Sequence, residues 1–204
     1  MISRHFFPGI NDPIWCDEMQ RKAREIGCAL GLLALFTLVG CSGSNFRQVP
    51  PFNLGYTAPL GEPVYVEQVR ISKFYSIPPG ILGLDQGWER VGKLIVLAPP
   101  YPPFPHEVFV RWFNYKQQRF YEATVPLQED AQVIMRRLPK SDYGDLMIVT
   151  GVLPNGQAVV WVTNGHAPKF GTWVEVGRVQ GRRVQGDVEN YRPQIESMRK
   201  RGRI

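Results

Sequence analysis

Cys41 is the residue of this sequence with the most clearly defined chemistry. It ends the tetrapeptide Leu38-Val39-Gly40-Cys41, which closes an apolar run over residues 26–39, and a basic patch at residues 21–24 precedes that run. A basic segment, an apolar segment of about 7–15 residues and small residues at the cut are typical of a secretory signal peptide. The run is shorter than the about 20 apolar residues that a membrane-spanning helix needs. The pattern therefore predicts export, with residues 1–40 removed.

The same tetrapeptide is the pattern called a lipobox, in which the cysteine thiol forms a thioether with diacylglycerol. Gly40 suits cleavage because its small side chain lets the peptidase approach the backbone. The sequence thus predicts a bacterial lipoprotein that begins at a lipidated Cys41; a buried helix and a signal cut elsewhere are the alternatives. Met19 would open a more typical signal and is an alternative start. An aspartate directly after the lipidated cysteine retains lipoproteins in the inner membrane of enteric-type bacteria. Ser42 stands at that position here, which favours the outer membrane, facing the periplasm.

The remaining 164 residues have the size of one domain. No thiol would be left for a disulfide or a thiolate zinc site, because Cys16 and Cys28 lie in the signal and Cys41 carries lipid. We predict four segments: a lipoprotein signal peptide at 1–40, a flexible tether at 41–62, a β-rich globular domain at 63–181 and a basic C-terminal tail at 182–204.

The net charge of +6 is concentrated near the C-terminus. Residues 41–177 carry 12 Lys and Arg against 11 Asp and Glu, whereas residues 178–204 carry 8 against 3. A dense basic run is usually solvated, although each basic residue near an anionic membrane contributes about 1 kcal/mol of attraction. We expect a solvated tail, with contact to anionic headgroups as the alternative. Nucleic acid is not an expected partner of an exported protein.

Alternating apolar and polar residues predict several strands, the clearest being a hairpin of residues 107–115 and 119–125. Asn155-Gly156 predicts a tight turn between two further strands. Apolar residues at helical spacing predict a helix from Pro126 to about Leu138, and a weaker helical pattern covers residues 187–198. The predicted fold class is mainly β (α+β): an antiparallel β-sandwich-like domain with one clear helix.

Residues with catalytic or metal-binding chemistry are scarce after Cys41. His106 and His166 are the two remaining histidines, and neither has a second histidine three or four residues away, so no metal site is predicted. No nucleophile elbow or phosphate-binding loop is present. Carboxylates such as Glu107, Glu122 and Asp145 would serve hydrolysis only if the fold brought two of them together. We therefore predict no catalytic residues and no cofactor, and a binding protein rather than an enzyme.

The aromatic residues are the best candidates for a partner surface. Trp112 and Trp161 lie in alternating strands and are expected to pack in the core. Trp88 lies in a Gly-rich loop, whereas Tyr101 and Phe104 lie in a run with five prolines in residues 99–105. Because Trp and Tyr are enriched at binding hot spots, Trp88, Tyr101 and Phe104 are the predicted partner-binding residues. The alternative is that these loops fold back onto the domain.

An ordered set of motifs resembles a known family. The set comprises Val110-Arg111-Trp112-Phe113, Phe120-Tyr121-Glu122-Ala123, Pro126-Leu127, Val152-Leu153-Pro154-Asn155-Gly156 and Val159-Val160-Trp161. It resembles an uncharacterised family of bacterial lipoproteins, classed as a domain of unknown function, over about residues 63–181. The family usually has Pro-Gly-Gly at the turn, so Asn155 is a departure that a tight turn accepts.

The resemblance implies an association with type VI secretion, because members of such families often lie beside type VI secretion genes. Some of them resemble immunity proteins that bind and neutralise phospholipase effectors in the periplasm. The resemblance supplies no catalytic residue. We therefore expect an outer-membrane lipoprotein that blocks a cognate secreted lipase through its loops. The alternative is a structural envelope lipoprotein that binds cell-wall glycan or an envelope complex.

Overall fold

The computed structural model describes residues 50–71, 75–85, 87–88, 90–142 and 145–204. Gly40, Cys41 and the predicted signal peptide lie outside the described residues, as does most of the predicted tether. The strands are β1 Asn53–Thr57, β2 Val64–Ile71, β3 Tyr75–Ile77, β4 Gly80–Leu82, β5 Lys93–Ile95, β6 Glu107–Asn114, β7 Arg119–Pro126, β8 Met147–Val152, β9 Gln157–Thr163, β10 Trp173–Gln180 and β11 Arg182–Val184. The helices are α1 Ala131–Arg137 and α2 Arg192–Lys200, with single 3-10 turns at Pro168–Phe170 and Val188–Tyr191.

The strands form two sheets. The first sheet has the order β10-β9-β8-β1-β5, and the second has the order β11-β7-β6-β2-β3, with β4 also paired to β2. All strand pairs are antiparallel except β1 with β8, where Asn53 lies opposite Met147. The predicted mainly β, mostly antiparallel fold is confirmed.

Apolar residues of both sheets meet in one core. Leu54, Ile148 and Val160 contribute from the first sheet, and Val110 and Trp112 contribute from the second. The alternation of side chains along each strand places these residues on one face, and the shared core gives the two sheets a sandwich-like arrangement. Ala131 and Met135 of α1 are fully buried and belong to the same core.

β1 lies inside the segment that the sequence assigned to a flexible tether. All five of its residues are buried, because it pairs with β8 on one side and β5 on the other. A strand buried on both faces lacks the apolar–polar alternation by which strands are recognised. A Cβ at position 55 in β1 would lie 2.6 Å from Cγ1 of Val91, so any larger residue there would force Val91 to move.

The helix α1 begins later than the sequence predicted. Pro126 ends β7 opposite Glu107, and the backbone N–H of Leu127 still donates to the carbonyl of His106 at 2.8 Å. The carbonyl of Val176 accepts from Gln128, also at 2.8 Å. These hydrogen bonds hold the chain beside the sheets until Ala131, where α1 starts.

The C-terminal residues continue the fold beyond the predicted domain boundary at residue 181. β11 pairs with β7, and α2 buries Ile195 and Met198 against Phe113 and Phe120 of the second sheet. The weaker helical pattern over residues 187–198 corresponds to α2, which spans Arg192–Lys200. The basic residues at positions 199–203 remain exposed, while the backbone that carries them is packed on the domain.

Tyr191 fixes this C-terminal segment to the second sheet. Its hydroxyl donates to Oε1 of Glu67 at 2.6 Å, and its ring stacks on Phe113 with centroids 4.4 Å apart. Nε of Arg111 donates to Oε2 of the same Glu67 at 2.5 Å. Burial, followed by the hydrogen bond to Glu67, raises the pKa of Tyr191 above its ordinary value. Within the described part of the chain, neither helix is long and apolar enough to cross a membrane.

Candidate functional site

A cleft of about 580 Å³ opens at the end of the domain where the described chain begins. Pro50 lines it, together with Val96 and Tyr101 on one wall and Lys140 on the other. Phe52 and Leu97 are buried beneath the opening. The cleft thus joins four segments of the chain, the fourth being Asn164.

Asn53, the first residue of β1, connects the two walls of the cleft. Its Oδ1 accepts a hydrogen bond from the backbone N–H of Leu97 at 3.2 Å. Its Nδ2 donates to Oδ2 of Asp145 at 3.1 Å. Asn53 is only 6% exposed and its hydrogen bond to Leu97 is buried, whereas Asp145 is exposed. Together the two hydrogen bonds position both walls.

Asn164 holds the second wall in a comparable way. Its Nδ2 donates to the carbonyl of Pro139 at 2.6 Å, and its Oδ1 accepts from the backbone N–H of Thr172 at 2.6 Å. The turn after α1 is thereby fixed, and it presents Lys140 to the cleft, which Arg136 in the last turn of α1 also lines. Two cationic side chains beside an apolar wall suit a ligand that carries both an apolar group and a carboxylate or phosphate.

The first wall belongs to a longer uncharged segment, residues 94–105, which we call the apolar ribbon. It contains no Asp, Glu, Lys, Arg or His among twelve residues. Leu94 is 46% exposed, Val96 is 71% exposed and Tyr101 is 37% exposed. The ribbon starts in β5, which forms an edge of the first sheet. Exposed apolar side chains next to a sheet edge are typical of a contact surface.

The structure separates the three predicted partner-binding residues into two places. Tyr101 lines the cleft, and Phe104 packs edge-to-face on Phe52 with centroids 6.1 Å apart. Trp88 lies on the other face of the first sheet, where its half-buried ring packs edge-to-face on Trp161 with centroids 5.0 Å apart. Tyr101 is therefore the most accessible of the three, while Phe104 and Trp88 also pack on the domain.

Several residues of the cleft were not singled out from the sequence. Val96, Arg136 and Lys140 lie on different walls, and only the fold brings them together. The sequence feature that could have identified Val96 is the absence of charged residues from positions 94–105, the apolar ribbon. Arg136 and Lys140 resemble ordinary surface charges in the sequence, and no local pattern identified them.

A family model described as a protein of unknown function, DUF2931, matches residues 44–202. The chain belongs to the DUF2931 family. The match includes β1 and α2, so the DUF2931 domain contains both segments that the sequence had assigned to a tether and a tail. Neither a curated protein nor a solved structure matches the chain.

The described part of this DUF2931 protein holds no group of three or more His, Cys, Asp or Glu side chains arranged to bind a metal ion. His106 is exposed, whereas His166 is half-buried with its ring 5.2 Å from that of Phe170. Among the carboxylates, Glu122 pairs with Arg182 at β11, and Asp145 binds Asn53 in the cleft. The features that suit binding are instead the exposed apolar ribbon and the cleft beside it.

Proposed function

We propose that this DUF2931 protein is a lipid-anchored binding protein of the outer membrane, facing the periplasm. Its most concrete role is immunity, in which it binds a type VI secretion phospholipase and blocks that enzyme. The proposal rests on lipidation of Cys41, which lies outside the described residues. The observation that carries the binding role is the cleft bounded by the exposed side chains Val96 and Tyr101.

The chemistry of the cleft suits an enzyme that acts on lipids. Such an enzyme must present an apolar surface to the bilayer, and the apolar ribbon is complementary to a surface of that kind. Lys140 adds the charge that an acidic side chain of the partner would pair with. Covering the partner's lipid-binding face blocks substrate access and requires no catalytic group in this protein.

The anchor contributes through concentration. A lipoprotein confined to the membrane meets a phospholipase that works at the same membrane surface. The two proteins therefore bind each other at a raised effective concentration. Lipid chains bind membranes at about 0.8 kcal/mol per buried methylene group. The cleft therefore needs only moderate intrinsic affinity to protect the membrane that carries it.

The test is purification of the mature lipoprotein from the envelope of cells that produce a type VI phospholipase. The proposal predicts that the phospholipase co-purifies at a one-to-one ratio. Tyr101→Ala should weaken binding about tenfold, the effect of removing a hot-spot aromatic side chain worth about 1.4 kcal/mol. Phe170→Ala is the matched control, since both aromatic residues are 37% exposed and Phe170 does not line the cleft. Equal affinity of the two variants would contradict the assignment of the cleft.

The second candidate is a structural envelope lipoprotein that binds cell-wall polymers. The exposed basic residues of α2 and its C-terminal end favour it, because anionic polymers bind clustered cations. Sedimentation with purified peptidoglycan distinguishes the two. Co-sedimentation that is lost when Arg199 and Lys200 are replaced by Gln supports the structural role, and a protein that stays in the supernatant contradicts it.

A further inference from the structure

We infer that the open edge of β11, with the groove beside it, binds an extended acidic segment of a partner protein. The groove is lined by residues 118–120 and 183–188 and has a volume of about 800 Å³. We call it the arginine groove, after Arg119 and Arg183. The inference goes beyond the proposed function, because it uses neither the cleft nor the lipid anchor.

The arginine groove holds two guanidinium groups that no described side chain neutralises. Arg183 lies opposite Tyr121 in the pairing of β11 with β7. Arg119 precedes Tyr121 by two residues, so the two arginines are diagonal neighbours, which in adjacent strands lie about 7–8 Å apart. Both are exposed, and neither forms a hydrogen bond or an ion pair with a described residue. Because the two cations repel each other, an anion between them is favoured.

The charged neighbours of this pair already have partners. Arg182 forms an ion pair with Glu122. Asp187 is the one carboxylate among the described residues that line the groove, and it accepts a hydrogen bond from the backbone N–H of Glu189 at 3.0 Å, which caps the following 3-10 turn. An incoming carboxylate therefore pairs with the two groove arginines without breaking an existing ion pair. Guanidinium groups bind carboxylates through two parallel hydrogen bonds.

The free backbone groups of β11 favour a polypeptide over other anions. The N–H of Leu127 donates to the carbonyl of His106, next to the pairing of β7 with β6. Since backbone groups along a strand point alternately to its two sides, the odd-numbered residues of β7 bond to β6 and the even-numbered ones face β11. Arg182 and Val184 lie opposite even-numbered residues, so they bond to β7. The N–H and C=O of Arg183 therefore point to the open edge.

The position of β9 gives the same direction for the open edge. The N–H of Gly181 donates to the carbonyl of Gly156 at 2.9 Å, at the end where β10 pairs with β9. Arg183 follows two residues later, so its N–H points to the same side, where β9 has already ended. Among the described residues, β11 is the end strand of its sheet and β7 is its one strand partner. An added extended segment would therefore form a hydrogen-bonded strand at Arg183.

The chemistry of this edge distinguishes between occupants. A second copy of β11 would bring arginines against arginines, which disfavours it. A lipid headgroup or inorganic phosphate would use the charges but leave the backbone groups of Arg183 unpaired. A strand in which acidic and neutral residues alternate satisfies both, because all its carboxylates lie on one face.

The test measures binding of a synthetic peptide to the whole protein, purified from cells in a non-ionic detergent. The probe is a fluorescein-labelled peptide of about ten alternating glutamate and threonine residues, and the control peptide has glutamine at each glutamate position. Arg119→Gln and Arg183→Gln remove the groove cations. Arg137→Gln is the matched variant, because Arg137 is exposed on α1 and does not line the groove. Amide hydrogen exchange of Arg183, followed by NMR, reports the backbone contact.

We expect the acidic peptide to bind more tightly than the control peptide, and each groove variant to weaken binding about tenfold, while Arg137→Gln binds like the wild type. The acidic peptide should also slow exchange of the Arg183 amide about tenfold or more, whereas tripolyphosphate should not. Failure of the acidic peptide to bind, or equal affinity of Arg183→Gln and Arg137→Gln, overturns the inference. Binding of the peptide with unchanged exchange at Arg183 also overturns it, because the groove then recognises anions alone. None of these results depends on phospholipase binding, so the proposed function is tested separately.

Discussion

Replacing Ile195 by alanine should lower the free energy of unfolding by about 3 kcal/mol. Ile195 is 5% exposed and packs between α2 and the second sheet. The substitution removes three carbon atoms at about 0.8 kcal/mol each, and the cavity left behind adds to the loss. Domains are stable by only about 5–15 kcal/mol, so the change is a large part of the total. It corresponds to a fall in Tm of roughly 6–12 °C for a domain of this size.

Equilibrium unfolding in guanidinium chloride measures this loss directly. Gln194→Ala is the matched control, because Gln194 is the neighbouring residue on the same helix and is exposed. That change should stay within about 0.5 kcal/mol of the wild type. If the two variants unfold at the same denaturant concentration, α2 does not contribute to the folded domain in solution, and the packing argument for residues 187–204 fails.

Three further predictions concern buried groups and a turn. The hydroxyl of Tyr115 is buried and has no hydrogen-bond partner among the described residues, so Tyr115→Phe should leave stability unchanged or raise it by up to about 1 kcal/mol. Tyr56→Phe should cost about 1 kcal/mol in thermal unfolding, since the Tyr56 hydroxyl donates to the carbonyl of Pro78 at 2.7 Å; the reverse ranking of the two variants would contradict this account. Burial raises the pKa of both Tyr56 and Tyr115 to about 12 from 10.0. The folded state therefore keeps these protons where the unfolded state releases them, and their contribution to stability should be complete below pH 10 and lost as the pH rises from 10 to 12. Chemical unfolding at pH 9 and pH 11.5 should show the loss, and a smaller loss for Tyr115→Phe; identical losses would be inconsistent with burial as the cause. Gly156→Ala should lower the free energy of unfolding by about 1–3 kcal/mol, because Gly156 has φ 84° and a Cβ there would lie 2.6 Å from Cε1 of Tyr121. Thermal unfolding measures the effect as a lower Tm, and an unchanged Tm would refute the requirement for glycine.

The hairpins could be predicted because their determinants are local. β6 and β7 alternate strictly, and Asn155-Gly156 forms the turn between β8 and β9. β1 escaped prediction because its five residues include a glycine, show no alternation and pair with a strand more than 90 residues away. Its strand character comes from tertiary pairing rather than from local propensity.

The C-terminal segment and the cleft illustrate the same limit. The weak helical pattern of residues 187–198 indicated α2, but the charge of residues 199–203 favoured a solvated tail over the packing of Ile195 and Met198 on the second sheet. Tyr101 was identified from the sequence as an exposed aromatic candidate. The opposite wall at Asp145 was not, because the bridge through Asn53 spans 92 residues of sequence. A cleft built by long-range contacts leaves no periodic pattern to read.

The most direct test of the proposed function is a titration of phospholipase activity. The mature lipoprotein is added in increasing amounts to a type VI phospholipase that co-purifies with it, and hydrolysis of phosphatidylglycerol vesicles is followed. The account predicts that hydrolysis stops at one equivalent of wild-type protein when the enzyme concentration is far above the Kd. With dilute enzyme, half-inhibition should require about ten times more Tyr101→Ala than wild-type protein. An unchanged rate of hydrolysis at saturating wild-type protein would contradict the immunity role.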